Sequence, residues 1–154
     1  MANKWPHPGL RNVGSYQISG HPFVTGSDNL DDNKAHGVFF PFVAKSFTVI
    51  NTNSTSGHNI RVHFQSGTAA TISVPGDAGA QTIADTNDVI AGFHYVTVPA
   101  TSTRTMDIMC KNIFISNGSG NNNLTYQVIA ELTSIPASSM YHLTGSGITT
   151  TNGD

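Results

Sequence analysis

The sequence predicts an all-β protein built as a single antiparallel β-sandwich or jelly-roll-like domain. Short segments of alternating apolar and polar residues recur along the chain, and Gly, Pro and Asn separate them. No window keeps apolar residues at positions i, i+3, i+4 and i+7 for three turns, and good helix formers are scarce. Charged residues make up only 10% of the chain, because Thr, Ser, Asn and Gly stand where Lys and Glu are usual.

The length of 154 residues fits one domain that can bury a core without disulfides. We predict three parts, which are an extended N-terminal arm over residues 1–14, the β-sandwich over 15–134 and an extended C-terminal arm over 135–154. The N-terminal arm contains Trp5, Pro6, Pro8 and Gly9, a composition that does not fit a central strand. The C-terminal arm begins with Ile135 and Pro136 and continues with scattered apolar residues among Gly, Ser and Thr.

The stretch Phe39–Asn51 carries the strongest strand signal. Two strands are predicted to meet in it, because Lys45 interrupts the apolar run and alternation of apolar and polar residues resumes after it. Ile60–Gln65 alternates in the same way. A hairpin across Asn51–Asn59 is therefore the economical connection between these segments.

The other strand predictions are shorter. They cover Tyr16–Ser19, Phe23–Thr25, Thr71–Val74, Val89–Ile90, Phe93–Val98, Thr105–Cys110, Asn112–Ser116 and Leu124–Leu132. Polar loops are predicted over 28–37 and 118–123, with a longer excursion over 69–88. The residues expected in the core are Phe47, Val49, Val62, Phe64, Phe114 and Val128.

Catalytic and metal-binding patterns do not emerge from the sequence. The seven histidines have no zinc spacing, and Asp28, Asp31 and Asp32 lack the ligand spacing of a calcium loop. Cys110 stands alone, so no internal disulfide forms, and a buried thiol is expected. Neither a nucleophile elbow nor a phosphate loop occurs. We therefore expect no enzyme activity, no cofactor and no metal.

Charge and hydropathy limit the possible partners. The net charge of −2 and the absence of a Lys/Arg cluster argue against nucleic acid. No run approaches the roughly 20 apolar residues of a membrane helix, and the N-terminus lacks the apolar core of a signal peptide, so we expect synthesis in the cytoplasm. A surface with so few charges favours a protein that works within an assembly.

The two arms carry the candidate partner-binding residues. Apolar side chains are unusual in segments that serve only as polar tails, so a partner is expected to cover them. The predicted partner-binding residues are Trp5, Pro6, Pro8, Met140, Tyr141 and Leu143.

Several stretches carry a resemblance to a known family. These are WPHPGLRNVGSYQISGHPFVTGS, FPFVAKSFTVIN, IRVHFQSG, CKNIFISN, AELTSIP and LTGSGIT. With them the chain resembles small virion structural proteins of tailed marine bacteriophages, cyanophages among them. The resemblance implies a decoration or cement protein on the capsid exterior. Its expected partners are the major capsid protein and further copies of itself, with a trimer favoured, and its expected role is stabilisation of the contacts between capsomers.

A second function remains open from the sequence. A β-sandwich with Asn/Thr-rich loops would also serve as a tail-fibre, vertex or knob module that binds a carbohydrate or receptor on the host surface. Tyr95, Tyr126 and Tyr141 are the expected stacking platforms in that case.

Overall fold

The computed structural model describes residues 10, 21–32, 34–64, 95–117 and 119–141. Seven strands are present in this part of the chain, and the prediction of an all-β protein is confirmed. They are β1 (Pro22–Leu30), β2 (Ala35–Asn51), β3 (Ile60–His63), β4 (Val96–Val98), β5 (Thr103–Met106), β6 (Cys110–Asn117) and β7 (Leu124–Pro136). A single 3-10 turn, Ala137–Ser139, follows β7.

The strands form one antiparallel sheet in the order β1-β7-β2-β6-β3-β4, and β5 pairs with β2 outside this path. The strand β2 is central because its two halves have different neighbours. We refer to residues 35–40 as its N-terminal half and to residues 46–51 as its C-terminal half. The N-terminal half pairs with β6 along one edge. The C-terminal half pairs with β7 along one edge and with β5 along the other.

A sharp bend separates the two halves of β2. The register shifts between Phe39 and Ala44 and again between Ala44 and Ser46, which is the signature of β-bulges. The ends of β2 nevertheless meet at one residue, because Asn51 is the ladder partner of Tyr126 and the Nδ1 atom of His36 lies 2.9 Å from the Tyr126 hydroxyl. A straight strand would separate residues 36 and 51 by about 50 Å.

The prediction of two strands meeting near Lys45 is therefore close to the observed structure. The strand is continuous, and the predicted interruption lies in its bulged middle. A lysine after a short apolar run indicates that the residues facing the core shift by one position at this point. A bulge produces that shift without ending the strand.

The core is built from the inward faces of both halves of β2 and of their neighbours. Five of the predicted core residues are buried, and the sixth, Phe64, is partly buried with its ring centroid 6.0 Å from that of Phe47. Residues 124, 126, 128, 130 and 132 of β7 are all buried, so the alternation seen in the sequence identified the inward face correctly.

The predicted hairpin across Asn51–Asn59 is wrong. Within the described sheet β6 lies between β2 and β3, and β3 pairs with β6 and β4. The two segments do not pair with each other because β6, which is buried on both faces, takes the interior position between β2 and β3. The Asn51 side chain instead bridges to the neighbouring loop and strand by donating hydrogen bonds to the carbonyls of His58 and Val98.

Three boundary predictions also differ from the structure. The segment predicted as one strand, Thr105–Cys110, is divided, because β5 ends at Met106 and β6 begins at Cys110. The predicted loop over 28–37 is too long, because β1 continues to Leu30 and β2 begins at Ala35, both of which are buried. The strand β7 runs on to Pro136, and Thr133 Oγ1 donates a hydrogen bond to the Val43 carbonyl beyond the predicted end. The predictions for Tyr16–Ser19, Thr71–Val74 and Val89–Ile90 lie outside the described residues.

Candidate functional site

The predicted partner-binding residues divide into three groups. Trp5, Pro6, Pro8 and Leu143 lie outside the described residues. Met140 is buried in its own chain, in a cluster with Val43 and Ile135. Tyr141 is 65% exposed. Met140 therefore has little surface left for a partner, whereas Tyr141 is accessible to one.

The three tyrosines expected as stacking platforms differ in how far their rings are exposed. The expectation for Tyr126 is wrong, because this residue lies on the inward face of β7 and is buried. Tyr95 is half-buried, and the Arg61 guanidinium carbon lies 4.4 Å from its ring centroid, a cation–π contact that occupies one ring face. Only Tyr141 presents a largely open ring.

A groove with a volume of about 510 Å³ lies between β1 and the N-terminal half of β2. It forms where these strands approach each other through side chains such as Phe23 and Phe40 without pairing, since β1 pairs with β7 and this half of β2 pairs with β6. Its polar lining comes from Thr25, Ser27 and Asn29 of β1, from His36 of β2 and from Tyr126 of β7. We call it the β1/β2 groove.

The pair of His36 and Tyr126 forms the polar base of the β1/β2 groove. The hydroxyl and Nδ1 are 2.9 Å apart, a hydrogen-bond distance. Burial lowers the pKa of His36, and the negative charge of Asp31 opposes that effect without overcoming it. Burial also raises the pKa of Tyr126. Both groups are therefore neutral at pH 7, so the base offers hydrogen-bond donors and acceptors without charge.

An exposed aromatic ring stands at the rim of the groove. Phe39 is 58% exposed, and its ring meets that of Phe114 edge to face with centroids 6.1 Å apart. The ring lies over Gly37, where a Cβ atom would come within 2.7 Å of Phe39 Cε2. The glycine therefore gives the ring room to lie against the strand.

A second surface lies on the outer face of the sheet around β7. Val24 and Ile129 are ladder partners and are 68% and 43% exposed. The same row continues through Thr48 to Thr105, whose hydroxyl oxygens are 2.9 Å apart. Residues opposite each other in a ladder share a face, so these four side chains form a continuous, uncharged surface that we call the Val24/Ile129 patch.

Reactive groups are scarce in the part of the chain that the structure describes. Cys110 is buried as expected, and burial raises the pKa of its thiol to about 12, so the reactive thiolate is not formed at neutral pH. Residues 10, 21–32, 34–64, 95–117 and 119–141 contain no group of three or more side chains able to hold a metal ion. No helix in these ranges is long and apolar enough to cross a membrane.

Sequence reasoning missed the β1/β2 groove. Its base is formed by His36 and Tyr126, which are 90 positions apart in the sequence, so no local sequence pattern predicts the groove. The one available signal was Gly37 beside Phe39, because a glycine within a strand often marks a close approach.

Similarity to known proteins does not assign a function to either surface. Comparison with protein-family models, with curated proteins and with solved structures finds no match to this chain.

Proposed function

We propose that the protein is a non-enzymatic structural protein of a bacteriophage virion, of the decoration or cement type. It binds the outside of the assembled shell and stabilises the contacts between capsomers. The resemblance of the sequence supports the family, and one structural observation carries the role: the Val24/Ile129 patch is exposed and its side chains are uncharged. Apolar side chains exposed side by side on a sheet face are typical of an interaction surface.

The proposed architecture is a β-sandwich in which the bend in β2 folds the sheet into two layers. One layer contains β1, β7, the C-terminal half of β2 and β5, and the other contains the N-terminal half of β2, β6, β3 and β4. Two contacts support this arrangement. His36 reaches Tyr126, and the ring of Phe40 meets that of Phe23 at a centroid distance of 5.3 Å. The Val24/Ile129 patch then faces away from the core.

Attachment to the shell uses the N-terminal arm together with the patch. A buried Trp is a frequent anchor in protein interfaces, and its loss typically costs about 2 kcal/mol or more, roughly thirtyfold in affinity. In a trimer on a repeating shell, avidity multiplies that effect. Trp5, Pro6 and Pro8 supply the anchor in this proposal, and the major capsid protein supplies the receiving surface.

Deletion of Met1–Gly9 tests the arm. The truncated protein is expected to keep its melting transition and to lose stable attachment to stripped capsids in co-sedimentation, or to become monomeric in size-exclusion chromatography. Normal attachment together with normal oligomer size would exclude the arm. The variant Val24→Asp with Ile129→Asp then tests the patch in the same assay, with Asp28→Asn on the exposed part of β1 as a control for a changed charge.

The number of copies in a particle tests the location. Quantitative mass spectrometry of purified virions is expected to give hundreds of copies if the protein decorates the shell. A few tens or fewer would place it on a tail or vertex and overturn the decoration role.

A further inference from the structure

We propose that the β1/β2 groove binds a neutral saccharide ring, with Phe39 as the stacking platform and the His36–Tyr126 pair as the hydrogen-bonding base. This site differs from the expected tyrosine platforms, and its role is separate from attachment to the shell.

The position and size of the groove suit a small ligand. Its volume of about 510 Å³ lies within the range of roughly 300–1,000 Å³ that is usual for small-molecule sites. Four consecutive residues of β2, 36–39, line the groove, although side chains alternate between the two faces of a strand. The backbone of β2 therefore forms part of the groove wall.

The chemistry of the lining selects a neutral ligand with many hydroxyl groups. The polar side chains are two hydroxyls, an amide, an imidazole and a phenol, which both donate and accept hydrogen bonds. Among the described lining residues, none is Asp, Glu, Lys or Arg. A charged ligand would lose its hydration without gaining a counter-charge, and that loss is costly. A sugar replaces its bonds to water with bonds of the same kind.

The aromatic ring accounts for the choice of a sugar over a linear polyol. One face of a pyranose presents several C–H groups whose slight positive charge matches the negative face of an aromatic ring. Phe39 is exposed and is supported from the side by Phe114 in an edge-to-face contact. Its ring therefore remains open to a ligand. His36 and Phe39 project to opposite faces of β2, so the ring lines the groove at its rim, across the edge of the strand from the polar base.

An extended peptide that pairs with the edge of β2 is the competing occupant. Strand addition uses mainly main-chain hydrogen bonds and alternate side-chain pockets. It would not require Phe39, whereas saccharide stacking does. The two occupants are therefore distinguished by the dependence of binding on this ring.

The test is a titration of the full-length, ¹⁵N-labelled protein by NMR. The probes are methyl α-D-glucopyranoside, methyl β-D-galactopyranoside and N-acetylglucosamine, with sorbitol and glucuronate as the linear and charged comparisons. At least one neutral pyranoside is expected to shift the amides of residues 25–29 and 36–39 with a Kd on the order of 1 mM. Sorbitol and glucuronate should bind at least tenfold more weakly.

Two variants extend the test. Phe39→Ala is expected to weaken binding about tenfold or more, and the matched control Val24→Ala, on the opposite face of β1, is expected to leave it unchanged. If Phe39→Ala does not fold, Asn29→Ala is the substitute test of whether binding depends on the groove lining, because it removes an exposed amide of that lining. The absence of groove shifts with all three neutral sugars, equal binding of glucuronate, or binding that is indifferent to Phe39 would overturn the proposal.

Attachment to the shell is measured separately with the same variants. Phe39→Ala is expected to co-sediment with capsids as the wild type does. The saccharide site and the decoration role can therefore fail independently.

Discussion

Phe47 and Phe39, from the two halves of β2, belong to one strand and have opposite environments. Phe47, in the C-terminal half, is 1% exposed, whereas Phe39, in the N-terminal half, is 58% exposed. The residue type is the same, so hydrophobicity does not explain the difference. The face of the strand does, because Phe47 projects into the core, whereas Phe39 projects to the face opposite its buried neighbours Val38 and Phe40. Both halves contribute to the core, and the N-terminal half also borders the β1/β2 groove.

The largest expected effect comes from Phe47→Ala in the C-terminal half. Truncation of a fully buried Phe removes packing and leaves a cavity, so the free energy of unfolding should fall by roughly 3–5 kcal/mol. Phe39→Ala, the matched change in the other half, should cost less than about 1 kcal/mol. Urea unfolding of both variants measures the difference. Equal losses would mean that Phe39 contributes as much to packing as Phe47, which would contradict the comparison.

The second prediction concerns a buried amide at the end of the C-terminal half. Asn51 donates hydrogen bonds to the carbonyls of His58 and Val98 and accepts hydrogen bonds from the backbone and side chain of Asn53. Asn51→Ala removes these four hydrogen bonds, and the Asn53 side-chain amide keeps only its bond to the Thr125 carbonyl, so we expect a loss of roughly 2–4 kcal/mol in the free energy of unfolding.

The control for Asn51→Ala is Asn29→Ala, whose amide is exposed near the N-terminal half. This change should shift stability by less than about 0.5 kcal/mol. A similar melting temperature for Asn51→Ala and the wild type would contradict the role of the amide as a bridge between the sheet and the loop before β3.

The third prediction tests whether the halves separate before the protein unfolds. Cys110 is the ladder partner of Ala44, at the bulged middle of β2. Its thiol is fully buried and has a pKa raised to about 12, so a maleimide should react only after the site opens. The opening free energy from the labelling rate should equal the global free energy of unfolding. A clearly smaller value would show that the bend opens locally.

The smallest expected effect is a change in pH dependence at His36. Burial lowers the pKa of His36 in the folded protein, so the unfolded chain binds more protons at pH values between the folded pKa and about 6.5. Stability should therefore fall as the pH drops through this window. In His36→Gln the fall should be shallower. Urea unfolding at neutral pH and near pH 5 measures both slopes, and identical slopes would show that His36 does not contribute.

The sequence predicted an all-β protein and the inward faces of its strands, because both follow from local alternation. Val49 and Val128 were placed correctly on that basis. Strand neighbours could not be predicted, since they are chosen by contacts between distant segments, as the pairing of Phe47 with Ala130 illustrates. The exposure of Phe39 could not be predicted either, because the run FFPF places apolar residues on both faces of the strand.

The pairing of β1 and β2 also has a consequence for synthesis. All the described partners of these two strands, β5, β6 and β7, lie between Thr103 and Pro136. At about 5–20 residues per second, a ribosome needs on the order of 4–17 s to make the chain from Asn51 to Pro136. The strand β2 therefore remains without its described neighbours during that time. Folding begins late in translation, and a chain interrupted before β7 has no route to the native sheet.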